Sequence, residues 1–224
     1  MKTFVIGDIH GAHKALTQVL KRAGFDYNKD KLICLGDVAD GWTEVVECFE
    51  ELFKIKNLIY VRGNHDQWLK EWFKKGSQPD IWTKQGGLNT ISSYKKHHMK
   101  FREKHHEFLK TTPFYYLDDQ KRLFVHGGID PSLPLDKQEK MTLMWDRGLV
   151  SNDPPEIKEY KEIYVGHTSI YGASHIPAQK KNIFYMDTGA GWEGKLSLMD
   201  IDNYEIFQSD VVADLYPDVI GRGQ

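Results

Sequence analysis

The sequence predicts an α/β protein, and three observations carry the prediction. Short apolar runs of strand-forming residues recur along the chain, and each ends at a glycine or histidine with polar company. Amphipathic helical repeats fill the gaps between the first three runs. The C-terminal part then returns to short β-type runs separated by turns. Alternation of strands with helices needs crossover connections, so the early strands are expected to be largely parallel.

The elements follow in order. Thr3-Phe4-Val5-Ile6 leads into Gly7-Asp8-Ile9-His10-Gly11, and continuous apolar runs of this length suit strands covered on both faces. Residues 12–23 place Ala12, Ala15, Leu16, Val19 and Leu20 at helical spacing and stop at Gly24, a good helix-ending residue. Leu32-Ile33-Cys34-Leu35 leads into Gly36-Asp37-Val38-Ala39-Asp40, and residues 43–53 repeat Val45, Val46, Phe49, Leu52 and Phe53 as a second helix. Leu58-Ile59-Tyr60-Val61 leads into Arg62-Gly63-Asn64-His65-Asp66. The alternation then breaks. Residues 67–75 read as a helix bearing Trp68, Leu69, Trp72 and Phe73, and a Lys- and His-rich stretch follows. We read about 67–113 as a mostly helical insertion within one domain, 1–224, because no linker composition flanks it. Leu123-Phe124-Val125 leads into His126-Gly127-Gly128, and Ile163-Tyr164-Val165 into Gly166-His167-Thr168. Residues 183–186, 195–201 and 204–208 read as further strands, and 216–224 as a loose tail.

Composition bounds the function. The 224 residues suit one large domain, able to bury roughly 70% of its unfolded surface without staples. Thirty Lys and Arg against 32 Asp and Glu leave a formal charge of −2, which gives no strong nucleic-acid signal. Cys34 and Cys48 cannot form a disulfide framework and are expected as buried thiols in a reducing compartment. No run approaches the ~20 apolar residues of a membrane span, and the first run is too short for a signal peptide. The expected location is cytoplasmic, with no membrane partner.

Ligand sites in open α/β sheets lie at the C-terminal ends of strands. The five strand ends here supply Asp8, His10, Asp37, Asn64, His126 and His167. Carboxylate, imidazole and amide ligands without thiolate suit two first-row divalent ions better than a structural zinc. Such a pair, about 3.5–4 Å apart, can share a carboxylate and a hydroxide and clamp an in-line displacement at phosphorus. Any one Gly-Asp after a strand is usually only a turn; five such ends in succession are not.

These blocks together resemble the signature motifs of the phosphoprotein-phosphatase type of calcineurin-like metallophosphoesterases. The chain looks most like the bacterial and phage serine/threonine phosphatases and the symmetrical diadenosine tetraphosphate hydrolases within that group. Trp82-Thr83-Lys84-Gln85-Gly86-Gly87 with Ser92-Ser93-Tyr94, Trp145-Asp146-Arg147, Asp187-Thr188-Gly189-Ala190 and Gly194-Lys195-Leu196 extend the likeness, which runs from Met1 to about Asp202. The resemblance implies a two-sheet β-sandwich flanked by helices in four layers. It implies that Asp8, His10 and Asp37 hold one ion and that Asp37, Asn64, His126 and His167 hold the other. It implies a bridging hydroxide as nucleophile, with His65 as the general acid oriented by Asp40. The expected cofactor is two divalent ions, Mn²⁺ first, with Fe or Zn sharing the same ligands.

Arg147 is expected to bind substrate phosphate. Arg62 is a second candidate for phosphate contact, with support of an Asp or a backbone carbonyl as its competing role. One departure stands out. The related motif continues from the second Asp into Arg-Gly, whereas this chain reads Asp40-Gly41-Trp42 and lacks that phosphate-binding arginine. The pocket could then favour a diester or nucleotide, with Trp42 either stacking on an aromatic group or packing under the following helix. Trp68, Trp72 and Trp82 either wall the cleft or pack the insertion. His97, His98, His105 and His106 read as a solvated helical face. The reading is a phosphate monoesterase of the serine/threonine phosphatase kind, acting on a phosphoprotein, with a nucleotide hydrolase or phosphodiesterase as the alternative. A catalytically inactive metal-binding module is the reading from outside enzymology.

Overall fold

A computed structural model describes residues 1–151, 153–170 and 175–222. In chain order the strands are β1 (Thr3–Ile6), β2 (Lys31–Cys34), β3 (Asn57–Tyr60), β4 (Tyr115–Leu117), β5 (Arg122–Val125), β6 (Glu162–Val165), β7 (Ala178–Lys180), β8 (Ile183–Tyr185), β9 (Ser197–Asp200) and β10 (Glu205–Gln208). The helices are α1 (His13–Arg22), α2 (Val45–Leu52), α3 (Asn64–Lys75), α4 (Asp80–Trp82), α5 (Leu88–Lys96), α6 (Arg102–Thr111), α7 (Lys140–Trp145) and α8 (Val212–Leu215). A kinked segment over Thr83–Gly87, in which Gln85 and Gly86 leave helical backbone angles, joins α4 to α5.

Two five-stranded mixed sheets result. One runs β10-β9-β1-β2-β3 and the other β4-β5-β6-β8-β7. β1, β2 and β3 are parallel, as are β5, β6 and β8. The antiparallel strands lie toward the sheet edges. Alternation along each strand sends side chains to opposite faces. Phe4 and Ile6 therefore join the apolar layer under α1 and α2, while Val5 joins Ile33, Leu35 and Val61 in the layer between the sheets. The second sheet contributes a ladder of rings to that layer. Phe124 and Tyr164 stack at 4.9 Å and Tyr164 and Phe184 at 4.8 Å, and the exposed Tyr204, from the β9–β10 turn of the first sheet, stacks on Phe184 at 5.5 Å. The architecture is the two-sheet arrangement flanked by helices that the sequence led us to expect.

The differences are local. The strand β7 was unpredicted because it is short, polar and exposed, so no apolar run announces it. The helix α3 begins at Asn64 rather than at 67. Its start lacks a Ser, Thr, Asp or Asn cap; Gly63 occupies that place, and the Asp66 carboxylate accepts the Gly63 N–H at 3.0 Å. His105 is not on a solvated face. It is fully buried among Phe49, Phe53, Phe101 and Tyr94. Nor is the tail loose over the described residues: Tyr216 is buried and stacks on Trp42 with ring centroids 5.1 Å apart. Cys34 and Cys48 are both buried thiols, and among the described residues no helix is long and apolar enough to cross a membrane.

Candidate active site

The C-terminal ends of β1, β2, β3, β5 and β6 meet at one edge of the two sheets. Each end delivers a polar side chain that is buried: Asp8 and His10, Asp37 and Asp40, Asn64 and His65, His126, and His167. His10, Asp37, Asp40 and His167 all adopt positive φ, between 50° and 67°. Non-glycine residues rarely sit there, and a cluster of them marks backbone held under strain by its surroundings. Close approach helps to build the cluster. A Cβ on Gly63 would lie 2.0 Å from Asp37 Oδ1, so only glycine lets the β3 loop reach that carboxylate.

Two ligand trios emerge. Ligand atoms of Asp8, His10 and Asp37 lie within 4.8 Å of one another, and so do those of Asp37, His126 and His167. Asp37 is common to both. Asn64 joins the second trio, its Oδ1 lying 2.9 Å from His126 Nε2. Backbone carbonyls orient two rings. His10 Nδ1 bonds to Ala39 O at 3.0 Å and His126 Nδ1 to Leu35 O at 2.8 Å. Both rings therefore aim Nε2 at the shared space, the arrangement of metal-ligating histidines.

Electrostatics agree with a cation at this place. Asp37 Oδ2 and His167 Nε2 are buried and make no hydrogen bond among the described residues. His126 Nε2 stands 3.2 Å from that carboxylate oxygen, and a buried carboxylate without a hydrogen bond is costly unless something positive meets it. Burial, then the positive charge of His126, lowers His167 to about 3, so its ring is neutral. Burial and the neighbouring Arg222 likewise lower His10. Burial opposes a charge on Asp37, yet His126 and His65 outweigh it and hold Asp37 well below the usual carboxylate range. His126 goes the other way: despite burial, the Asp37 and Asp8 carboxylates lift it to about 10. Two carboxylates, three imidazoles and an amide, with no thiolate, form a donor set for hard-to-borderline divalent ions once His126 gives up its proton.

Beside the trios lies a second arrangement. His65 Nδ1 is 2.6 Å from Asp40 Oδ2. The Asp40 carboxylate also accepts the Trp82 indole N–H at 2.9 Å and the Thr90 hydroxyl at 2.7 Å. Asp40 is thus rigidly aimed, and it fixes the ring orientation of His65. The His65 ring meets His10 on one side and Trp68 on the other, at 5.0 and 4.8 Å. Trp68 continues to Trp145 at 5.1 Å, and Trp145 to His167 at 5.8 Å, so two indoles span the site from one histidine to the other. A cavity of about 230 Å³ opens beside them, lined by Trp68, Trp82, Glu71, Lys75, Ser77 and Pro79.

The remaining expectations divide. Arg147 is exposed, close enough to help depress His167, and its guanidinium makes no ion pair among the described residues. Arg62 stands apart from the cluster. It is buried, donates to Thr112 Oγ1, Thr112 O, Leu109 O and Gln67 Oε1, and lies against the Phe114 ring. It ties β3 to the segment entering β4, the carbonyl-supporting role, and is not gathered with the ligands. Trp42 is buried, donates its indole N–H to Ala190 O at 2.7 Å and stacks on Tyr216, so it cannot stack on a ligand. Trp72 packs in the core of the helical segment, whereas Trp68 is only partly buried and faces the site.

Two participants escaped the sequence reading. Asp66 takes the backbone N–H groups of Asp37, Val38, Ala39 and Gly63 at 2.8–3.3 Å. It holds the β2 loop in its strained form. The spacing Asn64-His65-Asp66 contained the clue, since an acid at the third helical position commonly turns back to the cap. The second is Arg222, whose sequence surroundings give no sign of it.

The family described as calcineurin-like phosphoesterase matches residues 1–204 of the chain. Serine/threonine-protein phosphatase 1 of Salmonella typhimurium is 27% identical over 204 residues, covering 88% of this chain and 91% of the relative. An asymmetrical bis(5'-nucleosyl)-tetraphosphatase, PrpE of Bacillus cereus, is 26% identical over 233 residues, covering 92% and 93%. A solved protein serine/threonine phosphatase from Saccharomyces cerevisiae superposes with TM-score 0.68 at 17% identity, covering 99% of this chain and 82% of its own, which speaks to the fold alone.

Proposed function

The chain belongs to the calcineurin-like phosphoesterase family and is therefore a hydrolase of phosphoesters that uses divalent metal ions; from that premise we propose a dinuclear phosphate monoesterase of the serine/threonine protein phosphatase kind, working with Mn²⁺. The observation that carries the reading is the pair of ligand trios joined at Asp37, with His167 Nε2 buried without a hydrogen bond among the described residues and His126 Nε2 3.2 Å from Asp37 Oδ2. Asp8, His10 and Asp37 would hold one ion, and Asp37, Asn64, His126 and His167 the other. When bound, the ions supply Lewis-acid charge at the phosphoryl oxygens and activate the attacking water.

The chain's own groups do the rest. Asp40 accepts from His65 Nδ1, which keeps that nitrogen protonated and leaves Nε2 as the proton carrier toward the departing oxygen. Trp82 and Thr90 hold Asp40 in place, so the imidazole loses little rotational freedom on reaction. The guanidinium of Arg147, free of ion pairs, binds phosphoryl oxygens and offsets their charge as the bond breaks. Trp68 and Trp145 exclude water from one side.

A phosphoprotein substrate is supported by the name of the Salmonella relative and by a basic face. Arg62, Lys70, Lys110 and Lys140 line one cavity of about 410 Å³ on the flank of α3. That much positive charge favours an acidic peptide segment beside the phosphorylated residue. A nucleotide reading has its own observation: the Trp68–Trp145 wall beside the 230 Å³ cavity can take a base by stacking.

The test strips the protein with chelator, restores Mn²⁺ and compares p-nitrophenyl phosphate, bis-p-nitrophenyl phosphate, a phosphoserine peptide and diadenosine tetraphosphate. Restored turnover with the monoester and phosphopeptide ahead supports the proposal. Preference for the diester or dinucleotide transfers it to the nucleotide reading. A protein that takes up Mn²⁺ but turns over none of the four refutes catalysis of either kind.

A further inference from the structure

The C-terminal segment reaches the centre of the site. Tyr216 is stacked on Trp42, Asn89 Nδ2 donates to both Gly41 O and Ile220 O, and the Arg222 N–H donates to Gly191 O at 2.8 Å. These contacts aim the Arg222 side chain inward. Its Nη1 lies 3.0 Å from His10 Nε2, its Nη2 donates to Gln85 Oε1 at 2.9 Å, and its guanidinium sits 5.0 Å from the centre of the Trp192 ring. Its Nε is buried and makes no hydrogen bond among the described residues. No carboxylate pairs with this guanidinium among those residues, although Asp8 and Asp187 lie near enough to feel its charge.

The chain makes room for that side chain. Gly41 has φ +88°, and a Cβ there would lie 2.8 Å from His10 O and 3.4 Å from Arg222 Cγ. A Cβ on Gly191 would lie 2.6 Å from His10 Cδ2 and 2.9 Å from Arg222 Cδ. The Arg222 stem thus runs between two positions that carry no side chain, Gly41 and Gly191.

We propose that Arg222 is a substrate-binding residue of this site, a guanidinium delivered by the C-terminal segment that grips the phosphoryl oxygens and stands in for the arginine missing at position 41. The inference rests on the phosphoesterase reading above. A guanidinium presents five donors in a fixed fork that suits phosphate, and here most of them are unspent. Its one contact with the cluster is the His10 Nε2 lone pair, the atom a cation would claim. With that lone pair engaged, Nη1 joins Nε as a donor without a protein acceptor, beside the anion's place.

The experiment uses the full chain loaded with Mn²⁺ and the variants Arg222→Gln and Arg222→Lys. Three quantities are read: Mn²⁺ stoichiometry, the affinity for inorganic phosphate by titration calorimetry, and KM for p-nitrophenyl phosphate. Loss of a forked, charge-assisted contact should weaken phosphate about ten- to a hundredfold in Arg222→Gln and raise KM in step, with Arg222→Lys in between. Mn²⁺ stoichiometry should stay that of the wild type. Wild-type phosphate affinity in Arg222→Gln overturns the proposal, and tighter phosphate binding also overturns it by showing a blocking residue. If the wild-type protein itself takes up no Mn²⁺ and binds no phosphate, the parent reading fails and this one with it. An active wild type with an indifferent variant defeats this one alone.

Discussion

Replacing Asp40 with Asn tests how the acid is built. Asp40 is completely buried and accepts three donors: His65 Nδ1 at 2.6 Å, Trp82 Nε1 at 2.9 Å and Thr90 Oγ1 at 2.7 Å. An amide in its place keeps one acceptor and turns the other into a donor facing a donor. The charge-assisted bond to His65 is worth about 1.5–3 kcal/mol, so kcat should fall about ten- to a hundredfold at about 1.4 kcal/mol per decade. His65→Asn removes the proton carrier itself and should cost about a hundred- to ten-thousandfold. Because Asp40 works through His65, the double variant should be no slower than His65→Asn alone. The assay is steady-state turnover of two Mn²⁺-loaded monoesters, an alkyl phosphate and p-nitrophenyl phosphate. The alkoxide needs a proton on leaving and the nitrophenolate hardly does, so both losses should be large on the first and small on the second. Equal losses on the two substrates, or losses that multiply in the double variant, would show that His65 does not act as the acid.

Two further expectations concern pH. His126 stands at about 10 because Asp37 and Asp8 outweigh its burial, so a cation that takes its Nε2 must displace a proton. Mn²⁺ affinity should therefore rise with pH by up to about tenfold per unit between pH 6.5 and 8.5; a flat titration would show that His126 is not a ligand. His105 lies far from that chemistry and is lowered to about 4, first by burial. The Tyr94 hydroxyl lies 2.6 Å from its Nδ1, while Nε2 is 2.8 Å from Glu50 Oε1, so a neutral ring serves both partners and a second proton breaks the Tyr94 donation. A depressed histidine contributes stability that is present above the unfolded value near 6.5 and lost as pH falls toward 4. The wild type should lose about 3 kcal/mol more than His105→Gln between pH 7 and 4 in urea unfolding, and parallel curves would contradict the assignment.

Much of the candidate site was legible because its polar residues sit one to three residues past apolar runs. β1, β2, β3, β5 and β6 each announce themselves by three or four consecutive apolar or aromatic residues, and the polar side chain that follows is fixed in place by the strand's end. That is local information, and it located Asp8, Asp37, Asn64, His126 and His167 without any knowledge of pairing. What failed was whatever depends on partners distant in the chain. His105 reads as solvated because it lies in a Lys-rich stretch; Phe49 of α2, Phe53 just after it, Tyr94 of α5 and Phe101 bury it. Arg62 has the composition of an anion ligand, yet the backbone carbonyls of Leu109 and Thr112 consume its donors.

Two features far apart in the sequence meet at one place. The sequence lacks at 41 the phosphate-binding arginine of the related motif, and 216–224 reads as a loose terminus. In space the two are one feature. Trp42, buried by Tyr216, anchors the returning segment, and Gly41 leaves unobstructed the side over which the Arg222 stem passes to His10. A side chain supplied at 41 would collide with the His10 backbone; a side chain supplied from 222 does not. The charge that the motif lacks at one position in the sequence is thus present at the site from a position 181 residues later, which follows from the numbers 41 and 222 alone. A motif read along the chain counts residues by spacing, whereas an anion meets them by distance, and only the second count decides how the phosphate is held.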